Sequence, residues 1–210
     1  MMIFSGIGEE FPEQTAHIRL RYMEPSDWPS IANIFLEPKI WEKGYADSSR
    51  RPETMEDAMA LVEERYHNVL TFIVEGQEQY NYEILGTTGI VDYNAETETA
   101  KIGRTIIHPN YWGKGINHDI KLVILDWLFN LGIGRVECDV SPININSMRS
   151  LEKFGFTFEG IKRRAVRRPD GSWRDLSIFS MVTEEWGFKR QNIINPLKPQ
   201  THHSTLIMPN

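Results

Sequence analysis

The stretch Tyr111-Trp112-Gly113-Lys114-Gly115-Ile116-Asn117 decides the fold, because it joins an alternating segment that ends at His108 to an apolar helical segment. Glycines directly before a helix let the backbone approach a ligand closely, and the free N–H groups of the first turn favour an anion. Diphosphate is the usual ligand of such a loop. The sequence therefore predicts a phosphate-binding loop at residues 113–117, although a glycine pair before a helix also serves as a plain connector.

Two familiar glycine fingerprints do not fit this loop. A nucleotide kinase needs Gly-x4-Gly-Lys-Ser/Thr, which the sequence does not contain. A dinucleotide-binding unit needs a third glycine at position 118, which is His118, and it needs a βαβ unit. The strand before this loop is instead predicted to belong to an antiparallel hairpin, so both classes of nucleotide-binding protein are excluded.

The rest of the chain is typical of a mixed sheet with helices. Alternation of apolar and polar residues predicts strands at 17–22, 70–74, 84–93, 99–108, 135–140, 157–167 and 173–183. Capping residues and helical periodicity predict a helix from Ser26 or Asp27 that ends before Pro38, and further helices at 52–67, 117–130 and 144–154. This order predicts an α+β fold, with a lead-in at 1–14, one domain at 15–186 and a tail at 187–210.

A second segment follows the loop and reads Asn144-Ile145-Asn146-Ser147-Met148-Arg149-Ser150-Leu151-Glu152-Lys153-Phe154-Gly155-Phe156. Taken by itself it is a capped helix, with Asn144 as N-cap, Leu151 and Phe154 packing, and Gly155 just after its end. It also resembles the Asn-x-x-Ser-x-x-x-x-Glu-Lys-x-Gly-Phe signature of the GNAT acetyltransferases.

The glycine loop resembles the Gln/Arg-x-x-Gly-x-Gly/Ala pattern of the same family. Trp112 stands at its first position, as in the RimJ/RimL type that acetylates ribosomal-protein N-termini, and Asn117 departs from Gly/Ala at the last. Two motifs in the right order make the resemblance specific, and the element order extends it from about residue 15 to residue 186.

The resemblance implies a GNAT fold, which is a mixed, mostly antiparallel central sheet flanked by helices, with strands 99–108 and 135–140 splayed to form the coenzyme cleft. It also implies acetyl-CoA as cosubstrate, with direct attack of a primary amine on the thioester and no metal. The implied coenzyme contacts are Ile106, Ile107, His108, Trp112, Gly113, Lys114, Gly115, Ile116, Asn117, Asn144 and Ser147. Ser147 is the implied hydrogen-bond donor or general acid to the departing thiolate, and the alternative for it is a helix-surface hydroxyl.

The general base is not identified by the sequence. Many members of the family carry Glu where this chain has Lys101. Asp92, Glu96, Glu98 and His108 are nearby candidates, and each also fits a solvated residue near the end of a strand. The predicted substrate contacts are Asp92 together with Trp41 and Tyr45, which follow the first helix where relatives shape the acceptor pocket.

The missing carboxylate favours a weakly basic acceptor. An α-amine of pKa about 7.7–8.0 is roughly 10% neutral at pH 7, whereas a lysine of pKa about 10.4 is only about 0.04% neutral. The leading acceptor is therefore a protein or peptide N-terminal α-amine. The alternatives are a small amine (polyamine, amino sugar or antibiotic), or a non-catalytic acetyl-CoA-binding module, which Lys101 and Asn117 would suit.

Composition sets the outer limits on function. The 210 residues carry 23 Lys+Arg and 29 Asp+Glu, a net charge of −6, and this acidic balance argues against nucleic acid as a partner. The single cysteine, Cys138, excludes an internal disulfide and a zinc site built on two cysteines. The apolar run 120–131 is too short to span a membrane, and the N-terminus lacks the pattern of a signal peptide. We expect a cytoplasmic enzyme without a membrane partner, and a tail held by a neighbouring subunit would fit a homodimer.

Overall fold

The computed structural model describes residues 14–42, 50–168 and 170–194. Its seven strands are β1 Ile18–Tyr22, β2 Leu70–Gly76, β3 Ile84–Asn94, β4 Thr99–Ile107, β5 Arg135–Val140, β6 Thr157–Arg167 and β7 Trp173–Val182. They form one sheet in the order β1-β2-β3-β4-β5-β7-β6. Every neighbouring pair is antiparallel except β4 and β5, which run parallel. The predicted mixed, mostly antiparallel sheet is therefore confirmed.

The described helices are α1 Trp28–Leu36, α2 Pro38–Glu42, α3 Met55–Tyr66, α4 Ile116–Asn130, α5 Ile145–Phe154 and α6 Thr183–Ile194. Four of them, α1, α3, α4 and α5, are predicted from the sequence. The start of α3 is a capping box, in which the Thr54 side chain accepts from Asp57 N–H at 3.1 Å and the Asp57 carboxylate accepts from Thr54 N–H at 3.1 Å.

Helices α2 and α6 are not predicted. Pro38 ends α1, but it also begins α2, because proline suits the first position of a helix. Residue 183, predicted as the end of β7, begins α6, so residues 187–194 of the predicted tail are helical. Trp186 is the buried residue of α6, which leaves little of the apolar periodicity that predicts a helix from sequence. Residues 195–210 lie outside the described part of the chain.

The helices cover both faces of the sheet. Because side chains alternate along a strand, Ile73 of β2 packs on one face with α1, α2 and α3, while Phe72 and Val74 pack on the other with α4, α5 and α6. We call these the α1–α3 face and the α4–α6 face. Burying one large apolar side chain contributes about 1.5–3 kcal/mol, so both layers hold the sheet firmly. Within the described ranges, no helix combines the length and the apolar character needed to cross a bilayer.

Strands β4 and β5 separate halfway along. Their pairing runs from Thr99 opposite Arg135 to Ile102 opposite Cys138. Beyond that pair β4 continues through residues 103–107 and β5 through residues 139–140, with no further pairing between them among the described residues. The two strands thus splay and leave a cleft, as predicted.

A bulge in β4 accompanies the splay. Arg104 has a φ of 55°, and the register between β3 and β4 shifts between Thr87 and Gly89. Thr87 Oγ1 donates to the Arg104 carbonyl at 3.1 Å and lies 2.7 Å from the Tyr66 hydroxyl of α3. These two contacts fix the bulge from the α1–α3 face.

Candidate active site

The end of β4 offers backbone groups to the cleft. His108 N–H donates to the Leu85 carbonyl of β3 at 2.8 Å. Because backbone groups of successive strand residues point to opposite sides, Ile107 turns its N–H and C=O toward the open side. Ile106 is in register with Thr87 and faces β3. Of the two isoleucines predicted to pair with pantetheine, Ile107 is therefore the one whose backbone faces the cleft.

Trp112 ties the loop to the same strand. Its indole N–H donates to the Ile107 carbonyl at 2.7 Å, and its ring packs partly buried against both layers of the core. This hydrogen bond fixes where the chain leaves β4 and enters the glycine loop. It also engages the Ile107 carbonyl, which leaves the Ile107 N–H as the backbone donor at this point of the cleft.

The glycine loop presents backbone N–H groups at the start of α4. Gly113 and Gly115 have φ angles of 77° and 82°, a conformation that favours glycine. A Cβ built on either would have no atom of the described residues within 4 Å, so open space lies beside both. Across the described ranges, the N–H groups of residues 113–117 donate to no protein acceptor. The loop therefore fits an anion such as a diphosphate.

Lys114 adds a cation beside this loop. Its side chain is exposed, and its Nζ lies 5.2 Å from the centroid of the Tyr111 ring. The Tyr111 hydroxyl donates to Glu83 Oε2 at 2.6 Å, and this hydrogen bond raises the pKa of Tyr111 to about 12. The anchored ring thus holds the ammonium next to the loop.

Asn117 belongs to a network that the sequence analysis missed. Its Nδ2 donates to Ser150 Oγ of α5 at 3.2 Å, and its Oδ1 accepts from Lys121 Nζ at 2.6 Å. Lys121 is only 8% exposed, and burial lowers its pKa to about 8. The Asn117 side chain therefore points toward α5, and the backbone N–H of Asn117 stays at the loop. The only sequence signal of this network was a lysine inside the apolar run of α4.

The start of α5 is built as predicted. Asn144 Oδ1 accepts from Ser147 N–H at 3.1 Å, which makes Asn144 the N-cap. Gly155 ends the helix with a φ of 104°, and Leu151 and Phe154 are buried. The cap uses the side-chain oxygen Oδ1 of Asn144, so the side-chain Nδ2 is the group left for a ligand. Ser147 is half-buried in the first turn, and the Asn117–Ser150 contact places that turn beside the glycine loop.

Lys101 lies in an ion pair across the strands. Its Nζ is 2.8 Å from Asp139 Oδ2 and 3.6 Å from Glu137 Oε2, both on β5. Burial acts to lower the pKa of Lys101, but the hydrogen bond and charge of Asp139, with the charges of Glu137 and Asp92, raise it overall. Lys101 is therefore firmly protonated and does not act as a base.

Three of the other candidate bases, Glu96, Glu98 and His108, lie away from the point of separation. Glu98 precedes β4 and its carbonyl accepts from Gly134 and Arg135 N–H, so Glu96 and Glu98 lie at the end of β4 opposite to the cleft. His108 uses Nδ1 to accept from Asn110 N–H at 3.2 Å, and its Nε2 is 3.6 Å from Glu37 Oε1.

The structure describes two of the three predicted substrate contacts. Asp92 is exposed and in register with Lys101. Trp41 is buried, and its indole N–H donates to the Phe35 carbonyl at 2.8 Å, so its contacts are those of a core residue. Tyr45 lies outside the described residues.

Cys138 is buried, which raises its pKa to about 12, in keeping with core packing.

Positive charge gathers at the bulge of β4. Desolvation, and then the charges of Arg65, Arg174 and Arg50, lower the pKa of the Arg104 guanidinium, although its side chain stays exposed at the surface. Arg65, at the end of α3, lies with its Cζ 5.7 Å from the centroid of the Phe35 ring. Arg65, Arg174 and Arg50 thus lie close enough to Arg104 for their charges to act on it, and Arg50 is itself paired with Glu64.

A sheet that splays at β4 and β5, with a glycine loop and helix N-terminus at the opening, defines an acetyltransferase of the GNAT type. The sequence profile of the GNAT acetyltransferase domain matches residues 17–157, and the chain belongs to this family. Acetyl-CoA is the acetyl donor in the family and an amine is the acceptor, so the protein is an N-acetyltransferase. No set of three or more potential metal-ligating side chains was found in the described part of the chain.

Relatives of similar length carry the same activity in their names. The chain is 26% identical over 177 residues to the uncharacterized N-acetyltransferase p20 of Bacillus licheniformis, which covers 82% of this chain and 96% of the relative. It is 27% identical over 178 residues to the uncharacterized N-acetyltransferase YnaD of Bacillus subtilis (strain 168), covering 82% and 97%.

Solved structures show the same fold. A GCN5-related N-acetyltransferase from Brucella melitensis has a TM-score of 0.80 at 20% identity, covering 95% of this chain and 90% of that one. A spermidine N-acetyltransferase from Vibrio cholerae, in complex with CoA and spermine, has a TM-score of 0.63 at 20% identity, covering 82% and 99%.

Proposed function

We propose that the protein acetylates the α-amine of a peptide or protein, as the RimJ/RimL type of this family does. The observation that carries the proposal is Lys101. It occupies the position of the usual glutamate, and its ion pair with Asp139 keeps it protonated. A site without a strong base at that position suits an acceptor that is already partly neutral.

The size of this effect separates two classes of amine. At pH 7 an α-amine is roughly 10% neutral and a lysine side chain about 0.04%. Without a strong base, the α-amine is favoured by a factor of roughly a few hundred from its neutral fraction alone. Lysine side chains and other strongly basic amines are correspondingly poor acceptors.

The arginines near the bulge also bear on the acceptor. A polyamine carries several positive charges, which Arg65, Arg104 and Arg174 would repel. A peptide with acidic side chains after its first residue would instead be attracted to the same group. The carboxylates of Glu137 and Asp139 on the same face are paired with Lys101, so the charge of the arginines supports a peptide acceptor over a polyamine.

The coenzyme is proposed to bind along the α4–α6 face. The N–H groups of residues 113–117 and the Lys114 ammonium would hold its diphosphate, and the Ile107 N–H and Asn144 Nδ2 its pantetheine arm. Ser147, at the N-terminus of α5, would donate a hydrogen bond or a proton to the departing sulfur. Because a thiol has a pKa of about 8.5, this help can be modest.

An acceptor panel tests the proposal by thiol release from acetyl-CoA. It compares an acidic peptide with a free α-amine, the same peptide with a blocked N-terminus and one lysine, spermidine, and an amino sugar. We expect the first to drive release well above the hydrolysis background. Faster release with spermidine or the amino sugar would assign the small-amine class instead.

Coenzyme binding separates an enzyme from a binding module. Acetyl-CoA at about 100 times its dissociation constant should add about 2.7 kcal/mol to the free energy of unfolding. A stabilisation of that size without thiol release for any acceptor would identify a non-catalytic module. No shift at all would contradict the coenzyme site itself.

A further inference from the structure

The structure assigns to Asp139 the role of accepting the proton of the attacking amine. Asp139 is the first residue of β5 beyond its pairing with β4. The inference rests on the proposed function, since it names the base for that reaction. Asp139 takes the proton only after the neutral amine has attacked, so the preference for an acceptor that is already partly neutral is unchanged.

The position of Asp139 is the point where the cleft opens. Ile102 and Cys138 form the last pair of β4 and β5, and the next residue on β4 is Gly103, which carries no side chain. Cys138 packs in the core of the α4–α6 face, so by alternation Asp139 points to the α1–α3 face. It therefore lies on the side of the arginines, opposite to the helix that carries Ser147.

One oxygen of Asp139 is without a partner. Oδ2 accepts from Lys101 Nζ at 2.8 Å, whereas Oδ1 is buried and accepts no hydrogen bond from the described residues. A buried acceptor without a donor is unfavourable and uncommon. The side chain as a whole is 20% exposed, so a small rotation of the carboxylate lets a bound amine reach Oδ1. An N–H of the acceptor amine is the donor that Oδ1 lacks.

The groups around Asp139 hold it in place. Lys101 fixes Oδ2, Glu137 and Asp92 lie around the same ammonium, and Ile178 of β7 is the cross-strand neighbour of Asp139. Glu137 is already engaged, because Arg135 Nε donates to it at 3.0 Å. Asp92 is exposed, so Asp139 is the carboxylate of this group that has a buried oxygen without a partner. Lys101 replaces the usual glutamate on β4, and the carboxylate stands beside it on β5.

The reaction step can be written in full. The lone pair of the amine nitrogen attacks the thioester carbonyl carbon, a C–N bond forms, and the carbonyl π electrons move to oxygen. The nitrogen, now cationic and strongly acidic, passes one proton to Asp139 Oδ1. Collapse of the oxyanion breaks the C–S bond, and the thiolate takes a proton from Ser147 or from water. Asp139 then releases its proton to solvent, solvent returns a proton to Ser147 where the serine supplied one, and the products are an amide and free CoA.

The test compares Asp139→Asn with the wild type in kcat/KM for the fastest acceptor of the panel. Since general base catalysis contributes about 10²–10⁴-fold, we expect a loss of at least about 10²-fold. The thermal shift with CoA is expected to be unchanged, which shows that the variant folds and binds the coenzyme. Glu137→Gln is the matched control, two residues earlier on the same strand face, and is expected to lose far less.

Lys101→Met distinguishes catalysis from a structural ion pair. It breaks the same pair but keeps the carboxylate, so we expect a clearly smaller loss of kcat/KM than in Asp139→Asn. Equal losses in the two variants, or an unchanged kcat/KM in Asp139→Asn, would overturn the assignment while leaving the acetyltransferase activity in place. A wild type for which none of the acceptors drives thiol release above the hydrolysis background would overturn the proposed function and the role of Asp139 together.

Discussion

The buried lysine of α4 gives the sharpest test of the structure. Lys121 is 8% exposed, and its described partners are the side chain and backbone of Asn117, with no carboxylate among them. Burial lowers its pKa from 10.5 to about 8. The folded protein therefore carries a desolvated ammonium at neutral pH, and Lys121→Met should remove that penalty.

The sign and size of the pH dependence follow from linkage. Below pH 8 the lysine is protonated in both states, and the penalty is fully present. Between pH 8 and 10.5 the unfolded chain keeps the proton that the folded protein has lost, so the free energy of unfolding rises with pH. Relative to Lys121→Met, the wild type should gain about 2.5 kcal/mol between pH 7 and pH 10.

The assay is urea unfolding at several values from pH 7 to pH 10. Cys138 opposes the effect, because its pKa is raised from 9.0 to about 12 and its unfolded thiol ionises first. The protein with Lys121 and the Lys121→Met variant should therefore both carry Cys138→Ala. Lys162→Met, at an exposed lysine of β6, is the matched control and should show no such trend. A difference between wild type and Lys121→Met that stays flat, or falls with pH, would refute the burial of a charged Lys121.

Three further predictions concern the proposed site. Ser147→Ala should lower kcat by about 10²-fold, the low end for general acid catalysis because the thiolate leaves readily, and an unchanged kcat would remove its role as proton donor. Gly115→Ala should lower the free energy of unfolding by about 1–2 kcal/mol, because alanine is strained at a φ of 82°, and should weaken CoA binding; the control is Gly187→Ala in α6, where φ is not positive. Arg104→Gln should raise KM for an acidic peptide but not for a neutral one, and equal KM changes for both peptides would contradict an electrostatic role.

The local parts of the site could be predicted from sequence. Residues 113–117 and the capped helix that begins at Asn144 depend on contacts within a few positions of each other. Glycines at positive φ, an N-cap asparagine and a C-terminal glycine leave direct sequence signals. The same holds for the capping box of α3 and for the strands with clear alternation.

The long-range parts could not. Lys101 and Asp139 are 38 positions apart, and Asn117 and Ser150 are 33 positions apart. Which of these side chains meet depends on the register of β4 against β5 and on how α5 packs beside α4. A shift of one residue in that register would turn Asp139 to the other face of the sheet. The short α2 and the weakly amphipathic α6 escaped prediction because tertiary contacts, not periodicity, define them.

The separation of β4 from β5 explains how one sheet can serve both reactants. Below the Ile102–Cys138 pair the strands are joined, and a molecule on one face cannot reach the other. Above it, the N-termini of α4 and α5 approach from the α4–α6 face with the positive ends of their dipoles, which suits a phosphate-bearing donor. Asp139 approaches from the opposite face because side chains alternate along β5. On our proposal the amine thus enters and loses its proton on one side, while the sulfur departs toward Ser147 on the other. Reversing Lys101 and Asp139 by a double substitution should retain the ion pair but return the carboxylate to β4, and activity in that variant would show that either strand can present the base.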